Sequence, residues 1–208
     1  MATASDTRFL VLHGLRLKGF GEPPAVAAAV GLDADLTAKT IAELQAEELV
    51  LRRDGRLSGF ALTPAGRAEQ ERSAAADLAA TGALAEIKAT YARFLELNGS
   101  FKVLCTDWQL RDGELYDHGD PAYNRTIFDR LDAMHAALTT EVLAPLGALL
   151  ERYAVYGPRF VDAVTRLEAG ELDYLTKPLI DSYHTIWFEL HEDLLTGLAI
   201  DRSQEGSF

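Results

Sequence analysis

A chain of 208 residues with 48% apolar and 25% charged side chains can bury a sizeable core, as one large domain or two modest ones. The net charge of −12 argues against a protein that coats nucleic acid, and it is unevenly spread: residues 1–72 hold nine Lys/Arg against ten Asp/Glu, and residues 73–208 hold eleven against twenty-two. The single cysteine, Cys105, excludes an intrachain disulfide or a thiolate cluster. The opening MATASDTRFLVLHG lacks the charged region and long apolar run of a signal peptide, and no run is long enough to span a bilayer. A cytoplasmic chain with no membrane contact is expected.

In chain order, Arg8–Lys18 reads as a first helix ending at Gly19 or Gly21, and Pro24–Val30 as a short second helix stopped by Gly31. Asp33 or Asp35 caps a third helix running to about Glu48, with Leu36, Ile41 and Leu44 inward and Thr37 and Thr40 at the edge of that stripe. Asp35, Ala38, Lys39, Ala42 and Ala46 then face outward. Leu49–Arg53 is a strand, Asp54-Gly55 a two-residue turn of the kind that needs positive φ twice, and Arg56–Leu62 the return. That register sets Arg53 opposite Arg56; like charges there destabilise a hairpin unless an external anion meets them. Thr63 caps a fourth helix whose first residue is Pro64 and which runs to about Ala80.

The rest reads as helical, with no strand after residue 62. Thr81-Gly82 interrupts; Ala83–Arg111 carries Leu84, Ile87, Tyr91, Phe94 and Trp108 at helical spacing, with a bend expected at Asn98-Gly99. Arg111–Asp120 is a loop, and Asp120-Pro121 starts a helix that restarts at Thr139 or Thr140, kinks at Pro145 and ends at Gly157-Pro158. Phe160–Leu167 is a short helix stopped by Gly170, and Pro178–Leu198 is the last, with Leu179, Tyr183, Ile186, Trp187, Leu190 and Leu194 on its apolar face.

Helix, helix, turn, helix, hairpin, helix is the order of a winged helix-turn-helix. On GLDADLTAKTIAELQAEELV, the basic hairpin RRDGR and the junction LTPAGR, the first 72 residues resemble winged-helix transcriptional regulators of the MarR/PadR type. CTDWQLRDGELYDHGDPAYN and TKPLIDSYHTIWFELHEDLL look like a helical partner domain found in actinobacterial relatives. The resemblance implies a mainly α protein, with a DNA-binding domain at 1–72 and a helical dimerisation or effector domain at 73–208. It implies a homodimer on double-stranded DNA, in which Thr37, Ala38, Lys39 and Ala42 meet bases while Arg52, Arg53 and Arg56 meet the backbone or minor groove. The chain departs from such regulators in carrying less positive charge on the third helix. Similar segments are also appended to phosphoenolpyruvate-utilising enzymes such as pyruvate phosphate dikinase. A protein-binding adaptor that regulates an enzyme without DNA therefore stays open.

No catalytic residue, metal site or cofactor is expected. His184 and His191 are seven apart, about 10.5 Å along a helix at 1.5 Å per residue, too far to share one metal unaided. Asp181 and His184 could pair at i, i+3. The acidic loop Asp112, Glu114, Asp117, His118, Asp120 lacks calcium-loop spacing, and Ser100, Ser182 and Cys105 lie in no nucleophile elbow. Trp108, Tyr183, His184, Trp187 and His191 either pack as core or line an apolar pocket for a small-molecule effector.

Overall fold

In α1 (Thr7–Lys18) the Asp6 carboxylate accepts the Phe9 amide and so supplies the missing partner of a first-turn N–H. The computed structural model describes residues 2–55 and 58–201. It is mainly helical, and among the described residues the strands form two small antiparallel pairs. Helix α2 (Pro23–Val30) opens on its prolines and closes on Gly31, whose φ of 70° lets the chain turn back at once. Asp33, not Asp35, caps α3 (Ala34–Ala46), accepting the amides of Asp35 and Leu36 at 2.9 Å each.

Strand β1 (Val50–Arg53) pairs with β2 (Gly59–Leu62) so that Arg53 lies opposite Gly59. The connection is therefore residues 54–58, not a two-residue turn, and Arg53 does not face Arg56, which lies outside the described residues. The register is pinned from the other side. Gly21 and Phe60 exchange both backbone hydrogen bonds, at 3.0 and 2.9 Å, and a Cβ on Gly59 would stand 3.0 Å from the Gly21 carbonyl carbon. At the next junction Thr63 caps α4 (Pro64–Ala80) by accepting the Gly66 amide at 3.0 Å, while its hydroxyl donates to the Glu48 carbonyl at 2.9 Å. A Cβ on Gly66 would sit 2.0 Å from the Leu49 carbonyl oxygen, so the hairpin root and the helix start meet backbone to backbone.

Helix α5 (Leu84–Gln109) passes Asn98-Gly99 without a break, because the buried Asn98 side chain accepts the Trp187 indole N–H at 2.9 Å rather than competing with the helix. Strands β3 (Leu110–Arg111) and β4 (Glu114–Leu115) follow, contrary to the expectation of none after residue 62. Asp112 and Gly113, at φ 54° and 84°, make the tight turn between them: the two-residue Asp-Gly hairpin is built here and not at Asp54-Gly55. Helix α6 (Pro121–Leu138) is capped by Asp120 and widens into a π turn at Thr139–Leu143 before α7 (Ala144–Leu149), so the expected restart is a bulge in a continuing helix. After a 3-10 turn at Glu151–Val155, Gly157 and Pro158 lie in the first turn of α8 (Tyr156–Glu168), where a proline needs no N–H; they do not end the preceding helix. The short α9 (Asp173–Thr176) precedes α10 (Tyr183–Gly197), which starts at the Ser182 cap. Pro178 and Leu179 lie before it, and Leu179 is exposed rather than on its apolar face.

Among the described residues the apolar interior falls into a body around Leu15, Ile41, Leu44 and Val50, a smaller one of Phe9, Leu10, Ala29, Val30 and Ala74, and the largest, running from Leu78 to Leu195. Helix α1 packs against α4 and α10, and Thr3 exchanges backbone hydrogen bonds with Leu149 and Glu151, so the N-terminal segment is laced to the C-terminal helices. No helix among the described residues is long and apolar enough to cross a membrane.

Candidate functional site

The inward stripe of α3 is Thr37, Thr40, Ile41 and Leu44: Ile41 and Leu44 are inside as expected, and the two threonines, expected at the edge, take the place expected for Leu36. Thr37 is fully buried and its hydroxyl donates to the Asp33 carbonyl at 2.8 Å, so it is not available to a base edge; Leu36, expected inside, is 43% exposed. The reason is spacing. Residues 37 and 40 stand one turn before Ile41 and Leu44, and a β-branched threonine can be buried once its hydroxyl finds a carbonyl. Ala38, Lys39 and Ala42 are exposed as expected, with the Lys39 ammonium 4.0 Å from the Glu43 carboxylate.

The hairpin cations differ from one another. The Arg52 guanidinium reaches Glu22 and Asp54, each at 3.1 Å, and lies 5.0 Å over the Phe60 ring. Arg53 is exposed and has no ion pair with a described residue. Further round the same unit Arg8 forks onto Glu47, with hydrogen bonds of 2.7 and 2.5 Å.

Of the aromatic candidates, Tyr183, Trp187 and His191 come together, but inside a packed ring cluster. Trp187 stacks on Phe101 at 4.4 Å and on Phe94 at 5.1 Å, Tyr183 meets Phe160 at 4.7 Å, and His191 meets Phe94 at 5.1 Å. Trp108 is elsewhere, buried against His118 with ring centroids 3.9 Å apart. His184 lies on the outer side of α10, one face on Phe101 at 6.1 Å, and loss of solvent lowers its pKa. Asp181 does not pair with it; its carboxylate accepts from Lys18 at 3.0 Å and Arg159 at 3.1 Å. In the acidic loop Asp120 caps α6 and pairs with Arg111 at 2.9 Å, and Asp117 accepts the Gly119 amide. Burial pushes the Cys105 thiol up to about 12, which keeps it protonated.

The largest concentration of charge is one the sequence does not announce, between α1 and α10. Asp193, 1% exposed, takes His13 Nε2 at 3.1 Å, the Tyr156 hydroxyl at 3.0 Å and the Arg152 guanidinium. Arg152 also donates to Asp77 at 2.9 Å and to the Tyr153 hydroxyl at 3.1 Å. Gln70 approaches His13 Nδ1 at 2.9 Å. With the Gln70 amide donating there, the ring proton resides on Nε2 and points at Asp193. Burial, and then the nearby Arg152 charge, hold His13 well below its ordinary pKa. A second group lies beside it: Glu189 binds Lys18 at 2.8 Å and Arg159 at 2.7 Å. The available signal was periodicity, because Asp193 falls on the inward stripe of α10 with Tyr183, Ile186 and Leu190. No family model, curated protein or solved structure matches the chain.

Proposed function

We propose that the chain is a DNA-binding transcriptional regulator, acting as a cytoplasmic homodimer: residues 1–72 form a winged helix-turn-helix and residues 73–208 a helical domain for dimerisation and effector response. The observation that carries the reading is the α2–Gly31–α3 corner. A tight left-handed turn and an Asp33 cap set α3 against β1 with Ala38, Lys39 and Ala42 outward. Small side chains beside one lysine permit close approach to a major groove. Arg53, without a carboxylate among the described residues, is the hairpin cation best placed for phosphate, while Arg52 must first leave Glu22 and Asp54.

That same neutralisation favours the second reading, an adaptor that meets a partner enzyme through this surface without DNA. Titration of the full chain with mixed genomic DNA at low and moderate salt separates the two. The regulator binds and weakens steeply with salt, and Arg53→Ala lowers the slope of log affinity against log salt by about 0.9, the loss of one phosphate contact. Glu22→Gln, which removes one of the two carboxylates on Arg52 and leaves Asp54, tightens binding. Absence of binding by folded protein at low salt leaves the adaptor.

A further inference from the structure

Helix α5 runs into a small hairpin whose apolar side is uncovered. Leu110 and Leu115 are cross-strand partners in β3–β4, so their side chains share one face, and they are 39% and 87% exposed. The hairpin is braced at its base. The Tyr116 amide donates to the Gln109 carbonyl at 2.9 Å, and the Tyr116 hydroxyl donates to the Asn124 side chain at 3.0 Å. Arg111 pairs with Asp120 and lies 4.5 Å over the Tyr123 ring. Two leucines are thus presented to water on a fixed support, and docking them costs little further ordering. Around them Asp112, Glu114 and Asp117 have no ion pair with a described residue, and residues 110–120 hold one Arg against four Asp/Glu.

A surface of opposite character lies beside the other hairpin. A cleft of about 590 Å³ opens between the end of α1, the start of α2 and the segment leading into α10, with Phe20 and Ala25 on one wall and Leu179 and Ile180 on the other. Leu179 is 79% exposed and held at φ 67°, a backbone region that disfavours a leucine and that nothing in its own packing rewards. Ser58 belongs to the lining, and its neighbour Gly59 stands directly across the hairpin from Arg53, which is exposed and has no ion pair with a described residue. Residues 50–62 hold three Arg against one Asp. Leucines ringed by carboxylates are repelled by nucleic acid and by anionic lipid, and two such hairpins repel each other; an apolar cleft beside arginines suits them in both respects.

We propose that the β3–β4 hairpin of one copy docks in this cleft on a second copy, with Leu110 and Leu115 entering between Ala25 and Leu179 and the hairpin's carboxylates meeting the Arg53 side. The contact joins unlike surfaces, so each copy offers one hairpin and one cleft, and it is separate from a pairing of like helical faces. It does not rest on the regulator reading. Its consequence does: a copy whose Arg53 is engaged by a neighbour's hairpin cannot offer that cation to phosphate.

Sedimentation velocity of the full chain without DNA, over a range of concentration and salt, reads the contact. The wild type is expected to gain mass with concentration and to dissociate as salt rises. Leu115→Asp in the hairpin and Leu179→Asp in the cleft each weaken association by about tenfold or more. Both positions are exposed and aspartate tolerates positive φ, so thermal midpoints stay unchanged. Ala25→Trp, which fills the cleft from an exposed position on α2, repeats the Leu179→Asp result by bulk alone. The decisive sample mixes Leu115→Asp, whose cleft is intact, with Leu179→Asp, whose hairpin is intact: the mixture associates through one contact although neither component does so alone. A wild type of constant mass, a mass distribution that neither variant alters, or a mixture as dissociated as its components overturns the proposal. Because assembly is read without DNA, a chain that assembles in this way but binds no DNA keeps the contact and loses the regulator.

Discussion

The seam between α1 and α10 and the surface formed by α3 with the β1–β2 hairpin both set guanidinium groups against carboxylates, under opposite conditions. At the seam Arg152 and Asp193 are each only 2% exposed at the side chain, while at the hairpin Arg52 is 41% and Asp54 81% exposed. In water the pair and its hydrated separated form are close in free energy; away from water the separated form is prohibitive. Buried pairing therefore gives the molecule its rigidity between the two ends of the chain, and exposed pairing gives a surface whose charges can be exchanged for an incoming group.

The sharpest way to break this contrast is Arg152→Ala. It strands Asp193 and Asp77 beside a neutral His13, and the expected loss is about 3–5 kcal/mol of unfolding free energy, read by urea denaturation. Arg152→Met with Asp193→Leu removes one of the two stranded carboxylates and recovers part of that loss, while Asp77 stays without its cation. A single variant as stable as the wild type would mean that the seam is wet and the contrast false.

Next in size is Gly66→Ala, at the joint that carries α4 from the hairpin to the seam. Its Cβ would enter the Leu49 carbonyl oxygen at 2.0 Å, which only a shift of the helix start relieves; about 1–3 kcal/mol is expected, with a lowered thermal midpoint. Since α4 also presents Gln70 and Asp77, a shift at this joint should disturb the buried seam, seen as a change in near-ultraviolet circular dichroism from Tyr153 and Tyr156.

Acid discriminates between the two regions as well. The folded-state pKa of His13 lies below the unfolded value of 6.5, so between the two the unfolded chain binds a proton that the folded chain does not. Stability therefore falls as pH drops below 6.5, by up to about 1.4 kcal/mol per pH unit for one such site. His135 and His184 shift in the same direction with less cover, and the depressed Asp181 carboxyl matters only below its ordinary 3.8. Urea midpoints measured from pH 7 to 5 should decline, and His13→Gln, whose amide can still join Asp193 to Gln70, should flatten that decline. A parallel decline in the variant removes His13 as its cause.

What the sequence revealed follows the range of the force concerned. Caps at Thr63-Pro64 and Asp120-Pro121 act within four residues and are found where their patterns place them, while at α3 the pattern leaves Asp33 and Asp35 open and the structure selects Asp33. The same local rule misplaced the tight turn, because Asp54-Gly55 and Asp112-Gly113 are the same dipeptide and only the crossing of Gly21 beside Phe60 selects between them. On α3 only Leu36 is misplaced, for a related reason: Leu36 and Thr37 differ by one step of 100°, and hydrophobicity alone favours the leucine, whereas the structure buries the threonine on a carbonyl. For the candidate site, Ala38, Lys39, Ala42 and Arg53 are legible as exposed, while the cleft at Leu179 and the seam at Arg152 join residues more than 100 positions apart. An arginine or aspartate in a sequence reads as surface until its partner is known.

The smallest expected effect is on stability at the hairpin. Arg52 is tied to two exposed carboxylates and Arg53 to no described one, so Arg52→Ala and Arg53→Ala should each leave the urea midpoint unchanged within error. Their difference should emerge only against a polyanion. On the proposed regulator reading, Arg53→Ala removes a phosphate contact outright, whereas Arg52→Ala also releases Glu22 and Asp54, whose bare charges then repel the duplex. Affinity for DNA at low salt should therefore fall further for Arg52→Ala, and restoring it with Glu22→Gln in the Arg52→Ala background would show that the carboxylates, rather than a lost cation, set the deficit. If either single variant lowers the urea midpoint as Arg152→Ala does, the hairpin surface is part of the fold's own electrostatics and is not free to receive a partner.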